Sequence, residues 1–187
     1  VLTAAMLSGT GIINLQPKFP DRVLDVGIAE GHAVTCSAGL ATTGNKPFVA
    51  IYSTFLQRAL DHIIHDVAVQ ELPVRFMLDR AGFVGADGPT HHGVFDLTYL
   101  RMIPNMTIMV PRNGAELRYM IEFAYNHETG PLAIRYPRGN TAELDENKIP
   151  PLEFGKSQIL RKGQNVVLFS VGTMVEKAEQ VADLLEK

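Results

Sequence analysis

An acidic residue placed where a strand turns into a helix is a candidate for proton transfer, and the run Asp25-Val26-Gly27-Ile28-Ala29-Glu30-Gly31-His32 presents one. Glu30 falls in the first helical turn, where the helix dipole favours negative charge, and that alone is a sufficient structural reason for it. Its neighbours, however, are small and apolar. A carboxyl among them is desolvated, which is costly without a partner and makes Glu30 a candidate proton shuttle. A second run, Ile51-Tyr52-Ser53-Thr54-Phe55-Leu56-Gln57-Arg58, follows a strand directly and brings Tyr52 and Phe55 to a carboxyl end. Either ring alone is read most simply as core; the functional alternative is a flat ligand stacked on one of them.

The third run extends from Asp79 to Asp96 and contains four glycines, a proline and the adjacent pair His91 and His92. A loop of this length in a compact domain is functional or disordered, and Arg80, Asp87, His91 and His92 can converge on a ligand. Zinc suits the histidine pair poorly, because adjacent histidines lack ligand spacing and the single cysteine, Cys36, is far away in sequence. His62 and His65 have Asp66 and Asp61 four residues away, so pairing on a solvated face or at a subunit contact is the expectation. The fourth run, Ile134-Arg135-Tyr136-Pro137-Arg138-Gly139, is another strand end, with two arginines. A guanidinium there can clamp a phosphate bidentately; the plainer reading is a surface arginine closing a helix end.

These residues need strand ends to position them. Apolar β-rich runs occur at Val23–Val26, Pro47–Tyr52, Val74–Leu78, Met106–Val110, Leu132–Tyr136 and Val166–Val171. They are continuous rather than alternating, as in strands buried on both faces, so the fold class is α/β with a mostly parallel sheet covered by helices on both faces. Helix-start pairs precede three apolar stripes: Thr54 with Gln57, Asn113 with Glu116, and Thr173 with Glu176. Ala29–Ala41 is rich in Ala, Gly, Ser and Thr and reads as a central, buried helix. In such a sheet ligands sit beyond the carboxyl ends of the strands.

The chain has 187 residues, 46% of them hydrophobic and 20% charged, enough to bury a globular core. A net charge of -3 without any block of like charge points to neither nucleic acid nor an anionic membrane as partner. No apolar run is long enough to span a bilayer and no signal-peptide pattern is visible. A single cysteine fits a reducing, cytoplasmic compartment. The chain begins at Val1 and stops at Lys187 inside a helical pattern, and is read as a piece of a longer protein. A polar stretch from Gly139 to Pro151 contains Asp145, Glu146, Asn147 and the pair Pro150–Pro151. It places a domain boundary near Pro150, giving one domain over 1–150 and the start of another over 151–187.

Taken in order, Ile-Ala-Glu-Gly-His, Ile-Tyr-Ser-Thr-Phe, Asp-Arg-Ala-Gly, Gly-Ala-Asp-Gly-Pro-Thr-His and Arg-Tyr-Pro-Arg-Gly closely resemble the central part of the 1-deoxy-D-xylulose-5-phosphate synthase family, within the transketolase superfamily. The resemblance is nearly continuous from Leu2 to about Asn140; Gly31 departs from it, where family members often carry Gln. It implies a thiamine-diphosphate-binding fold and a homodimer. It also implies thiamine diphosphate with Mg²⁺ as cofactor, and condensation of pyruvate with D-glyceraldehyde 3-phosphate, with loss of carbon dioxide, to a precursor of isoprenoids, thiamine and pyridoxal. By resemblance, Glu30 matches the glutamate that hydrogen-bonds the aminopyrimidine, and Phe55 the residue stacked on it. Tyr52 and Arg58 match substrate-side positions, Arg80 and Arg138 match phosphate-recognising arginines, and Asp87 and His91 match polar groups near the reacting centre. The Gly-Asp-Gly…Asn motif that holds the diphosphate and Mg²⁺ in this family is not found in the sequence, so those contacts belong to a missing N-terminal domain and the chain alone is expected to be inactive. The segment from about Pro151 resembles the beginning of the family's C-terminal domain. Rival readings are a transketolase, a 2-oxoacid dehydrogenase β subunit, or a non-catalytic module that keeps the fold.

Overall fold

The computed structural model describes residues 1–141 and 153–186. The polar stretch around Pro150, and with it the expected domain boundary, lies outside the described residues. One sheet organises the rest. Its strands are β1 (Leu2–Thr3), β2 (Leu24–Asp25), β3 (Phe48–Tyr52), β4 (Arg75–Asp79), β5 (Thr107–Met109) and β6 (Leu132–Arg135). They run in the order β2-β1-β3-β4-β6-β5, and every pairing is parallel.

The continuous apolar runs at β3, β4 and β6 have the origin expected of them; those at the edge strands do not, β2 being exposed and β5 half-buried. In β3, β4 and β6 successive side chains are buried on opposite faces. Val49, Ile51, Phe76 and Leu78 enter one core together with Ala33, Val34 and Ala38 of α1 (Glu30–Thr42). Ala50, Met77, Leu132 and Ile134 enter a second core with Met120 and Ala124 of α5 (Gly114–Asn126). Helices therefore cover both faces. The helix α1 is half as expected: its small residues Ala33, Ser37, Ala38 and Ala41 are buried, but His32, Thr35 and Gly39 face outward. Gly31 has a packing reason. A Cβ there would stand 2.6 Å from Cε1 of His62, so the His62 ring occupies the space that a side chain at position 31 would take.

The stretch after β3 departs from a regular helix. It begins as α2 (Ser53–Leu56), passes through a 3₁₀ turn at Gln57–Ala59 and α3 (Leu60–His62), and ends in a π-helical segment, Ile63–Ala68. The start pair Thr54–Gln57 is not a capping box, because the helix begins two residues earlier, at Ser53, with Tyr52 at the cap. Gln57 instead reaches back to the Thr54 carbonyl at 2.7 Å. The apolar stripe is nevertheless spent on the core: Leu56, Ala59, Ile63 and Val67 are fully buried. Asn113 does cap α5, accepting from the Glu116 amide at 2.9 Å, while the Glu116 carboxylate accepts from the Arg112 amide at 2.7 Å. Thr173 precedes α6 (Met174–Leu185) without a side-chain cap.

Val166–Val171 is a correction. It is not a strand: no regular structure forms there, and Val167 is 74% and Phe169 93% exposed. High β-propensity does not make a strand without a neighbouring strand to complete its hydrogen bonds. Conversely β1 went unread, because two residues carry no periodicity; it is held by pairing on both sides and by the Thr3 hydroxyl donating to the Ala50 carbonyl at 2.8 Å.

A second unread feature is Arg75, fully buried at the start of β4. Its guanidinium donates to the carbonyls of Ala124, at 2.8 Å, and of Pro73 and His127, tying α5 to the amino edge of the sheet. Burial pushes its pKa down from the usual arginine value, but three carbonyl acceptors favour the charged form. Arg75→Met strands those acceptors and is expected to lower unfolding free energy by about 3 kcal/mol, read from the urea midpoint at unchanged slope.

Candidate functional site

Parallel strands bring all their carboxyl ends to one edge, and the sequence-predicted residues collect there. Tyr52 closes β3, Arg80 follows β4, and Arg138 lies three residues beyond β6. Glu30 opens α1 after β2. The segment Ala81–Asp96 doubles back on itself, with Gly82 and Gly93 exchanging backbone hydrogen bonds at 2.8 and 2.9 Å, and it brings Asp87 and His91 over the same edge.

On one side of this mouth the Glu30 carboxylate is 4% exposed in its side chain and is met by Nη1 of Arg58 at 3.1 Å. The partner that a desolvated acid requires is thus Arg58, whose own side chain is 60% exposed. Arg58 also sits over the Phe55 ring at 5.5 Å. Phe55 stacks on Tyr52 with centroids 5.8 Å apart, and His91 meets it edge-on at 5.3 Å. Glu30, Arg58, Phe55, Tyr52 and His91 therefore form one chain of contacts: a buried acid, a cation and three rings.

On the other side Asp87 bridges two arginines. Its Oδ2 takes Nε of Arg80 at 3.2 Å and its Oδ1 takes Nη1 of Arg138 at 2.9 Å. The two arginines stand otherwise very differently. Arg80, in a left-handed conformation at φ 59, is 12% exposed. Its Nη1 donates to the Gly9 carbonyl at 2.9 Å and to Asp79 at 2.8 Å, and its guanidinium lies 3.9 Å from the Tyr52 ring centre. Arg138 is 48% exposed and lines an open pocket with Val84, Gly139 and Asn140. Burial pushes the Asp79 carboxyl up, opposed by Arg80, and pushes the Tyr52 phenol up, again opposed by Arg80.

Several candidates separate here. His92 is a brace, its Nδ1 accepting from the Val84 amide at 3.2 Å. His65 pairs with Asp61 at 2.9 Å on a solvated face, as expected. Asp66, however, accepts from the Thr35 hydroxyl of α1, and Nδ1 of His62 is buried without a partner, so that second pair is not made. Among the described residues no three His, Cys, Asp or Glu side chains are grouped to hold a metal, and no helix is long and apolar enough to cross a membrane. Arg135 and Arg138, equivalent in sequence, part company: Nε of Arg135 turns inward to Oδ2 of Asp96 at 2.7 Å. Sequence reasoning also missed Gly9, where a Cβ would fall 1.6 Å from the Tyr52 hydroxyl, and the buried pair Ser53 and Asp96. For Asp96 the only sequence signal is an acid preceding Leu97 and Leu100, which reads as a helix start.

With this geometry, the relatives can be weighed. The chain is 56% identical to the 1-deoxy-D-xylulose-5-phosphate synthase of Crocosphaera subtropica and 54% identical to that of Thermosynechococcus vestitus, over 100% of its own length. It spans 30% of the length of each. Its fold matches a split-gene transketolase, described as an inactive beta4 tetramer, with a TM-score of 0.85 and 32% identity, over 100% of this chain and 60% of that one. A transketolase from Pichia stipitis in complex with sedoheptulose 7-phosphate shares the fold at a TM-score of 0.81 and 19% identity, over 100% of this chain and 30% of that one. The transketolase pyrimidine-binding domain model matches residues 1–143. An all-parallel sheet whose carboxyl edge gathers a buried acid, an aromatic face and paired arginines is thus matched over most of the chain, which belongs to the transketolase pyrimidine-binding domain family.

Proposed function

We propose that this chain is the pyrimidine-binding and acceptor-phosphate part of a thiamine-diphosphate enzyme that condenses pyruvate with D-glyceraldehyde 3-phosphate to 1-deoxy-D-xylulose 5-phosphate and carbon dioxide. One observation carries the reading: a buried carboxylate linked through Arg58 to an aromatic face, and an arginine pair joined by one aspartate, sit at the same carboxyl edge. The identities with synthases of that name support the choice of reaction.

The residues fit an aminopyrimidine. Glu30 offers a buried carboxyl at the head of α1, and Phe55 offers a ring linked to it through Arg58. Thiamine diphosphate, when bound, supplies the carbanion chemistry. Glu30 would share a proton with a ring nitrogen, donating it as a carboxyl and accepting it back as a carboxylate, while Phe55 would stack on the ring face. Arg58, paired with Glu30 and more than half exposed, can release it and turn to a carboxylate substrate. Tyr52, Asp87 and His91 line the substrate side. Arg80 and Arg138 take the phosphate dianion, with Asp87 fixing their separation. Mg²⁺ and the diphosphate are proposed to be held by residues outside this chain, as the family resemblance implies.

The full-length protein, supplied with thiamine diphosphate and Mg²⁺, is expected to convert pyruvate and D-glyceraldehyde 3-phosphate to one carbon dioxide per 1-deoxy-D-xylulose 5-phosphate. Turnover with a ketose phosphate donor in place of pyruvate, or with lipoamide as acceptor, would contradict the assignment.

The partner proposed for this chain is a second copy of itself, as in the tetramer formed by the split-gene transketolase chain. The apolar stripe after β3 is consumed by the core, so the contact is assigned to the outer band: Asp61, His65 and Val69, the last 71% exposed. Val69→Glu is expected to shift the protein toward monomer in sedimentation velocity; wild-type protein that is monomeric at high concentration would refute the assignment.

A further inference from the structure

Behind the mouth lies a buried charged group that the proposed reaction does not use. Asp96 is 1% exposed, as is Ser53. Its Oδ2 accepts from the Ser53 hydroxyl at 2.9 Å and from Nε of Arg135 at 2.7 Å, and its Oδ1 accepts from the Leu97 amide at 2.8 Å. Each partner belongs to a different site segment. Ser53 directly follows Tyr52 and leads into Phe55 and Arg58. Arg135 ends β6, three residues before Arg138. Asp96 itself closes the segment that carries Arg80, Asp87 and His91. The contact leaves no slack: a Cβ on Gly93 would lie 2.4 Å from the Ser53 hydroxyl oxygen and 2.6 Å from the Arg80 carbonyl. Tyr99 closes the back, its hydroxyl donating to the Ser53 carbonyl at 3.4 Å.

We propose that Asp96 is a positioning residue which, through Ser53 and Arg135, sets the register of the Arg80–His91 segment and of Arg138 against the strand ends, and so fixes the phosphate side of the site. A buried carboxylate stripped of water holds its partners by charge-assisted bonds, and truncating one member leaves the other charge unpaired. An unpaired Arg135 must move toward water, and its displacement shifts both the β6 end and the segment leaning on it. This inference rests on the reading of the site given above, in that Arg80 and Arg138 are the groups that receive the phosphate.

The test is Asp96→Asn in the full-length protein, with Ser53→Ala as the milder variant that folds if the first does not. Asparagine keeps the shape and loses the charge facing Arg135. Amide hydrogen exchange, measured without substrate, is expected to rise across residues 81–95 in either variant. The KM for D-glyceraldehyde 3-phosphate is expected to rise roughly ten- to a hundredfold in Asp96→Asn, as small misplacements of a site do, and by about two- to tenfold in Ser53→Ala, which loses one hydrogen bond to the carboxylate but keeps the Arg135 ion pair. The KM for pyruvate is expected to stay within about twofold. A purely structural Asp96 would lower the melting temperature and leave both KM values alone. That outcome, equal changes in the two KM values, or unchanged exchange across 81–95, overturns the proposal. Wild-type protein without turnover on this substrate pair would refute the functional reading alone, and the exchange arm would still decide whether Asp96 anchors the segment.

Discussion

Glu30→Ala in the full-length protein is expected to lower kcat by about 10²–10⁴-fold, the range typical of a lost proton-transfer group. Three features make the effect chemical rather than structural. The carboxylate stands at the first residue of α1, so its removal disturbs no interior turn. Its partner Arg58 is more than half exposed and turns to water at little cost once freed. The rest of α1 is anchored by its own buried residues, Ala33, Val34 and Ala38. The melting temperature should therefore move by only a few degrees, and cofactor affinity by less than the rate, because the diphosphate is assigned to another domain. Steady-state kinetics and calorimetric titration on the same preparations separate these quantities. A variant with near wild-type kcat would remove Glu30 from the proton path.

Arg138→Ala is expected to raise the KM for D-glyceraldehyde 3-phosphate roughly ten- to a hundredfold, which is the loss of one charge-assisted contact of about 1.5–3 kcal/mol. The KM for pyruvate should barely change. Arg138 is the cleaner of the two arginines to test, because its one described ion pair is with Asp87 and nearly half of its side chain is open to the pocket. Arg80 bonds Gly9, Asp79 and Asp87 and covers the Tyr52 ring, so Arg80→Ala should raise the same KM and also destabilise the fold. Equal effects of Arg138→Ala on both substrates would mark it as structural.

The residues of the mouth were legible in the sequence because of a property of parallel sheets. Strands buried on both faces appear as continuous apolar runs, and whatever follows each run stands at the carboxyl edge. Tyr52, Arg80 and Arg138 are placed by that rule alone. Direction was not legible. Arg135 ends β6 and Arg138 follows it, yet one guanidinium turns into the interior to Asp96 and the other outward to Asp87. Which way a long side chain turns is decided by a partner far away in sequence. Asp96 was hidden for the same reason, since its role exists only once β3 and β6 end beside it. The capping pair Thr54–Gln57 does not set the helix start, because Ser53 and Leu56 are buried and their packing outweighs a local start signal. Val166–Val171 misled because propensity says nothing about whether a neighbouring strand is present.

Glu30 and Phe55 are proposed to hold an aminopyrimidine ring at this carboxyl edge. The most direct measurement is a crystal structure of the full-length protein with thiamine diphosphate bound. It should place a ring nitrogen of the pyrimidine within about 2.6–3.2 Å of a Glu30 carboxylate oxygen, with the Phe55 ring against its face. A pyrimidine bound elsewhere, with the Glu30 carboxylate met by Arg58 alone, would contradict the account.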